Sequence, residues 1–287
     1  MKLVLVHGRS QQAKDPAALQ SEWTDALQVG FDRAGVRAAL PDIVFAYYGD
    51  LLAGLVERVE QGMPDDIAAR GPGSGPPDYA LTQRALLAEV VAAAGITEEQ
   101  IAAELGVVQA RDPQNWGWVL AAARALSRIP GLDAKVIDLW LRDVSLYVTN
   151  AGVQRAIDQV VATELTTAPF VLVAHSLGTV VAYNVLRSPE RLGRCRGFIT
   201  LGSPLGIPSI RRRLRAPLTY PHELAGWLNA FDPADIVALR PLDDSYFPTD
   251  PPIENHGGVT NFTSNRHGIA GYLADPTVAA RISELLG

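Results

Sequence analysis

Val171-Leu172-Val173-Ala174-His175-Ser176-Leu177-Gly178-Thr179 is the stretch on which the reading of the fold turns. From Phe170 to Ala174 the chain is an unbroken apolar run following Pro169, as in a strand buried on both faces, and Leu177 to Arg187 continues at once with a helical pattern. A serine at such a junction sits in a strained turn that lifts its hydroxyl above the sheet. The residues two before and two after it must be small for the helix to pack on the strand. Ala174 and Gly178 meet that need. His175 is expected to be a structural neighbour, because adjacent side chains diverge at such a turn.

Working outward, strands and helices alternate. Leu3–Val6 is a β-prone run ending at His7-Gly8. Asp15 to Ala34 then places Leu19, Trp23, Leu27 and Phe31 on one helical stripe closed by Gly35. Ile43 to Tyr48, Arg196 to Leu201 and Leu224 to Phe231 are further strand candidates. This order predicts an α/β fold with a doubly wound, mostly parallel sheet.

Between the early strands and the serine the pattern changes. Gly62 to Pro77 is rich in Pro, Gly and Asp. It lacks the Gly-Lys-Ser/Thr ending of a phosphate loop and reads as a flexible connection. Helical stretches follow at Ala80–Ala94, Thr97–Leu105, Asn115–Arg128 and Leu132–Leu165, the last with a break near Gly152. Thr97 and Gln100 fit a capping box. The predicted organisation is a core of residues 1–61 and 166–287 with a helical insertion at 62–165. That insertion either acts as a cap over the sheet's active edge or packs as a helical layer away from it, and its Trp116, Trp118, Leu120 and Trp140 either line an acyl pocket or serve as ordinary helix packing.

Composition narrows the partners. A formal net charge of −6 disfavours a general attraction to nucleic acid or to anionic lipid. No apolar stretch reaches the roughly 20 residues of a membrane helix, and the four-residue apolar run Leu3 to Val6 is too short for a signal-peptide core. The single cysteine, Cys195, allows neither an intrachain disulfide nor a cysteine metal cage. The expectation is a cytoplasmic protein without stable membrane insertion, metal or organic cofactor, in which Cys195 is a buried small residue.

With these segments in place the chain resembles the α/β-hydrolase superfamily, in particular its lipase- and esterase-like members. The resemblance rests on three segments: Leu3–Gly8, Ala174–Gly178, and Thr200-Leu201-Gly202-Ser203-Pro204-Leu205-Gly206. Residues 50 to 165 match nothing in that pattern. The family's order of serine, acid, histidine implies Ser176 as nucleophile and His267 as base, with His256 the alternative; His222 is the remaining downstream histidine. For the acid the resemblance implies Asp235, with Asp232 as rival and Asp243 or Asp244 further off. A serine needs such a base, itself oriented by a carboxylate. The oxyanion donors would be the backbone N–H groups of Leu177 and, by resemblance, Arg9.

The expected activity is hydrolysis of a small-molecule carboxylic ester through an acyl-enzyme. Thioesterase, amidase or acyltransferase chemistry could use the same residues, and a noncatalytic binding module on the same fold is the rival of another class.

Overall fold

The computed structural model describes residues 1–60, 78–105, 116–129, 133–165, 168–187, 194–221 and 224–287. The Gly/Pro segment expected to be a loop, and His222, lie outside them. So do the side chains of Trp116 and Leu120.

Among the described residues six strands form one sheet: β1 (Lys2–Val6), β2 (Ile43–Ala46), β3 (Phe170–His175), β4 (Cys195–Leu201), β5 (Gly226–Ala230) and β6 (Glu254–His256). Their order is β2-β1-β3-β4-β5-β6 and every pairing is parallel. The doubly wound sheet expected from the alternation is therefore present. β6, a three-residue edge strand, was not legible in the sequence, since Glu254, Asn255 and His256 have no apolar alternation.

The central strands are buried on both sides, as their continuous apolar runs imply. Alternate residues serve opposite faces. Leu3, Leu5, Val171, Val173, Ile199 and Leu201 pack with Trp23 and Phe31 of α1 (Pro16–Ala34). On the same side are Tyr272 of α10 (Ile269–Leu273) and Val278 and Ile282 of α11 (Pro276–Leu286). Val4, Val6, Leu172, Ala174 and Phe198 face the other core. There they meet α2 (Gly49–Glu60), α3 (Asp78–Ala93), α5 (Trp116–Leu126), α6 (Ala134–Thr149), α7 (Ala151–Glu164) and α8 (Leu177–Leu186). Two further helices, α4 (Glu98–Leu105) and α9 (Pro208–Arg211), complete the described elements.

Asn150 breaks the long helical stretch expected at 132–165, two residues before the expected Gly152. Its backbone N–H closes α6 on Leu146, while its side chain accepts from the N–H groups of Gly152 and Val153 to start α7. The Thr97–Gln100 capping box forms as expected, with bonds of 2.8 and 3.3 Å. Helix α2 follows β2 directly where the sequence reading assigned no element. Among the described residues no single helix is long and apolar enough to cross a membrane. Cys195 is buried and its thiol is pushed up to about 12 by that burial.

Gly178 holds the sheet and α8 together. A Cβ there would lie 2.3 Å from the His7 carbonyl oxygen and 2.7 Å from that of Val6, so the first turn of α8 rests on the end of β1. Gly178→Ala is expected to lower stability by about 1–3 kcal/mol through overpacking against backbone. Gly54→Ala, in α2 where a Cβ meets nothing within 4 Å, should raise it by up to about 1 kcal/mol. Urea midpoints of the two variants moving in the same direction would contradict this account.

Candidate active site

The site is built where the β1 and β3 strands end side by side. Val6 pairs with Ala174, so the loop after β1 and the turn after β3 emerge together at the carboxyl edge. The sheet order also diverges there, with β2 on one side of β1 and β3 on the other, which is where ligands bind in open α/β sheets.

Ser176 has φ 54° and ψ −130°, a conformation that L residues rarely adopt. The surrounding bonds hold it there. Its N–H donates to the Leu201 carbonyl at 3.0 Å, and its own carbonyl accepts from the N–H of Thr179 at 2.9 Å and from the Thr179 hydroxyl at 2.7 Å. The Thr179 hydroxyl also bonds that of Ser203 at 2.8 Å, tying the turn to the segment after β4. At Gly8 a Cβ would lie 2.8 Å from the Ser176 Cβ. Glycine there lets the β1 loop pass directly against the serine.

His267 Nε2 lies 2.9 Å from Ser176 Oγ, and its Nδ1 lies 2.7 Å from Asp235 Oδ2. With Nδ1–H donating to the carboxylate, Nε2 is left to accept the serine proton. Asp235 is fully buried, yet its charge is well supplied with donors. Oδ1 accepts from the Val237 N–H at 2.9 Å, and Oδ2 accepts from the Tyr272 hydroxyl at 2.5 Å as well as from His267. Burial, with Asp235 beside it, raises the Tyr272 phenol far above its ordinary value, so it remains a donor. Gly202, at φ 57°, leaves room for the pair, since a Cβ there would be 3.1 Å from both Asp235 Oδ2 and His267 Nδ1.

The rival acids have other work. Asp232 accepts from the N–H groups of Ala234 at 2.7 Å and Asn261 at 2.8 Å. Asn261 in turn donates to the Gly268 carbonyl at 2.8 Å, so Asp232 organises the loop that carries His267. Asp243 caps a turn through Ser245 and Tyr246, and Asp244 is exposed. His256 sits 3.3 Å from Asp275 at the start of α11.

Two further histidines are buried and neutral. Burial pushes His7 down to about 4. Its Nδ1 donates to the Gly8 carbonyl while Nε2 accepts from the Tyr48 N–H at 2.9 Å. His175 is held well below its usual range, first by burial and then by His267. Its Nε2–H donates to the His267 carbonyl at 2.8 Å, with the two rings 4.7 Å apart. The structural role expected for His175 is thus to pin the backbone of the neighbouring histidine. Neither that bond nor the Tyr272 contact could be found from sequence, because each joins segments more than 30 residues apart without a spacing rule.

A cavity of about 350 Å³ opens over Ser176 and His267. Its walls include Leu19 and Trp23 of α1, Val90 of α3, and Val136, Ile137, Trp140 and Leu141 of α6. Arg9, Gln11, Lys14, Glu22 and Asn265 supply polar lining. Of the tryptophans proposed for a pocket, Trp140 lines it. Trp118 is buried in the core and is not part of the wall. The Arg9 side chain reaches α6, with Nε 3.2 Å from Asp143 Oδ2 and a terminal nitrogen donating to the Val136 carbonyl at 2.9 Å.

The buried histidines make stability depend on pH. His7 titrates near 6.5 when unfolded and about 4 when folded, so between those values the unfolded chain binds a proton that the folded chain does not. Its contribution is complete above pH 6.5 and falls as pH drops towards 4, a loss approaching about 3 kcal/mol. His175 acts in the same direction. The urea midpoint should therefore be lower at pH 5 than at pH 7.5, and an unchanged midpoint would contradict neutral burial of these rings.

No protein family, characterised protein or solved structure matches the chain. Its own geometry, a parallel six-stranded sheet flanked by helices with a serine, a histidine and an aspartate bonded in series at the carboxyl edge, is consistent with an α/β-hydrolase serine hydrolase.

Proposed function

We propose that the chain cleaves carboxylic esters of small molecules, with Ser176, His267 and Asp235 as catalytic residues. The observation that carries this reading is the unbroken chain of bonds from Ser176 through His267 to Asp235, lying beneath a largely apolar cavity. Ser176 Oγ attacks the ester carbonyl as its proton passes to His267 Nε2, and Asp235 stabilises the resulting imidazolium. The tetrahedral oxyanion is held by the backbone N–H groups of Leu177, at the head of α8, and Arg9, in the loop that Gly8 brings against the serine. Collapse breaks the carbon–oxygen bond to the alcohol, which leaves with the proton from His267. Water, deprotonated by the same imidazole, then releases the acid and restores Ser176. The apolar wall suits an acyl chain.

Within this proposal residues 62–165 act as a cap, since α3 and α6 contribute Val90, Val136, Ile137, Trp140 and Leu141 to the cavity. The single buried cysteine and the expectation from sequence support a cytoplasmic setting.

Ser176→Ala should retain the thermal midpoint while losing both ester turnover and labelling by a fluorophosphonate probe. Asp235→Asn should lower kcat by about 10⁴-fold, as loss of the orienting carboxylate leaves the imidazole in the wrong tautomer. Full labelling of the alanine variant would sink the assignment. Val136, 44% exposed yet part of the cavity wall, tests the cap. Val136→Trp should reduce kcat/KM for long acyl esters more than for acetyl esters, whereas an equal effect on both would place α6 outside the acyl path.

A further inference from the structure

The cavity wall and the β1 loop are joined by one buried charge pair. Arg9 directly follows Gly8, where the backbone runs against Ser176. Its guanidinium is consumed by α6, through Asp143 Oδ2 at 3.2 Å and the Val136 carbonyl at 2.9 Å. Both side chains are about nine-tenths buried, at 9% and 10% exposure. The helix that receives Arg9 also presents Val136, Ile137, Trp140 and Leu141 to the cavity. Arg142 Nε also lies 3.5 Å from the other oxygen of Asp143, so separation would leave the Arg9 guanidinium desolvated with the Val136 carbonyl in place of its carboxylate partner.

We infer that Arg9 and Asp143 are a positioning pair that couples α6 to the oxyanion-donating backbone at Arg9, so that acyl transfer proceeds at full rate only with the cavity wall in place. This rests on the serine-hydrolase reading above. The pair touches no reacting atom. It sets where a backbone N–H lies, and a displacement of about 1 Å in such a donor is enough to cost on the order of 100-fold in rate.

Removing Asp143 alone would strand the buried Arg9 charge and confuse folding with catalysis, whereas loss of Arg9 alone leaves Asp143 paired with Arg142. The informative variant is Arg9→Met/Asp143→Leu, which exchanges the pair for apolar side chains, a replacement that is often neutral for stability. With a p-nitrophenyl ester turned over by the wild type, kcat should fall about 10- to 100-fold with KM within about threefold. Affinity for a trifluoromethyl ketone, whose hemiketal oxyanion uses the same donors, should fall in parallel with kcat. Asp143→Asn, which keeps the shape and one acceptor, should give an intermediate loss and serves if the double variant does not fold. An unchanged kcat in either folded variant, or a loss confined to KM, would overturn the inference while leaving the triad assignment intact. Absence of turnover and of fluorophosphonate labelling in the wild type would overturn the functional reading, and this inference with it.

Discussion

Parallel pairing of β1 with β3, Val6 against Ala174, is the constraint from which the site follows. It sets the loop at His7-Gly8-Arg9 beside the turn at His175-Ser176-Leu177, and it does so only because the backbones can approach without side chains between them. Gly8 and Gly178 are the two residues that permit this. One faces the serine Cβ and the other the carbonyl oxygens closing β1. The strain at Ser176 is held by the packing of α8 on that strand end, together with the bonds from Leu201 and Thr179. A backbone this overdetermined keeps an uncommon φ that an isolated turn would relax.

The polar groups around that junction are handled in two ways. Neutral groups are buried with their bonds completed, as at His7, whose two ring nitrogens are used by Gly8 and Tyr48. Asp235 is buried with donors from Val237, Tyr272 and His267, which answers the cost of removing a carboxylate from water. The result is an imidazole whose orientation is set at several points: its ring by Asp235, its carbonyl by His175, and its N–H by Asn265. Preorganisation of this kind means little has to move as charge develops.

The division of labour between Asp232 and Asp235 shows how local and distant information combine. Both lie in one short turn after β5, and the resemblance implied Asp235 as partner of His267, which the structure bonds to it. Asp232 supports the same site by another route, fastening Asn261 and through it the loop around Gly268. Its place in that network depends on a contact 29 residues away, which no local pattern encodes.

Hydrophobic runs, turn residues and small-residue spacing are local properties, and from them the sequence by itself determined the parallel α/β architecture, the turn at Ser176 and the helices between β2 and β3 other than α2. Ser176, His267 and Asp235, which the structure bonds in series, were legible because a sharp strand-to-helix turn restricts residue types near the serine, and because the resemblance supplied an order for the rest. β6 was not legible, since a short edge strand carries no apolar signature, nor was α2. Only the tertiary structure decided that Trp118 is core while Trp140 faces the cavity, because both sit on apolar helices and periodicity does not say which neighbour covers a face. It likewise decided the bonds from Tyr272 to Asp235, from His175 to His267 and from Arg9 to Asp143. Each joins residues far apart in the chain, and such pairings exist only once the sheet and its covering helices have brought them within a few ångströms.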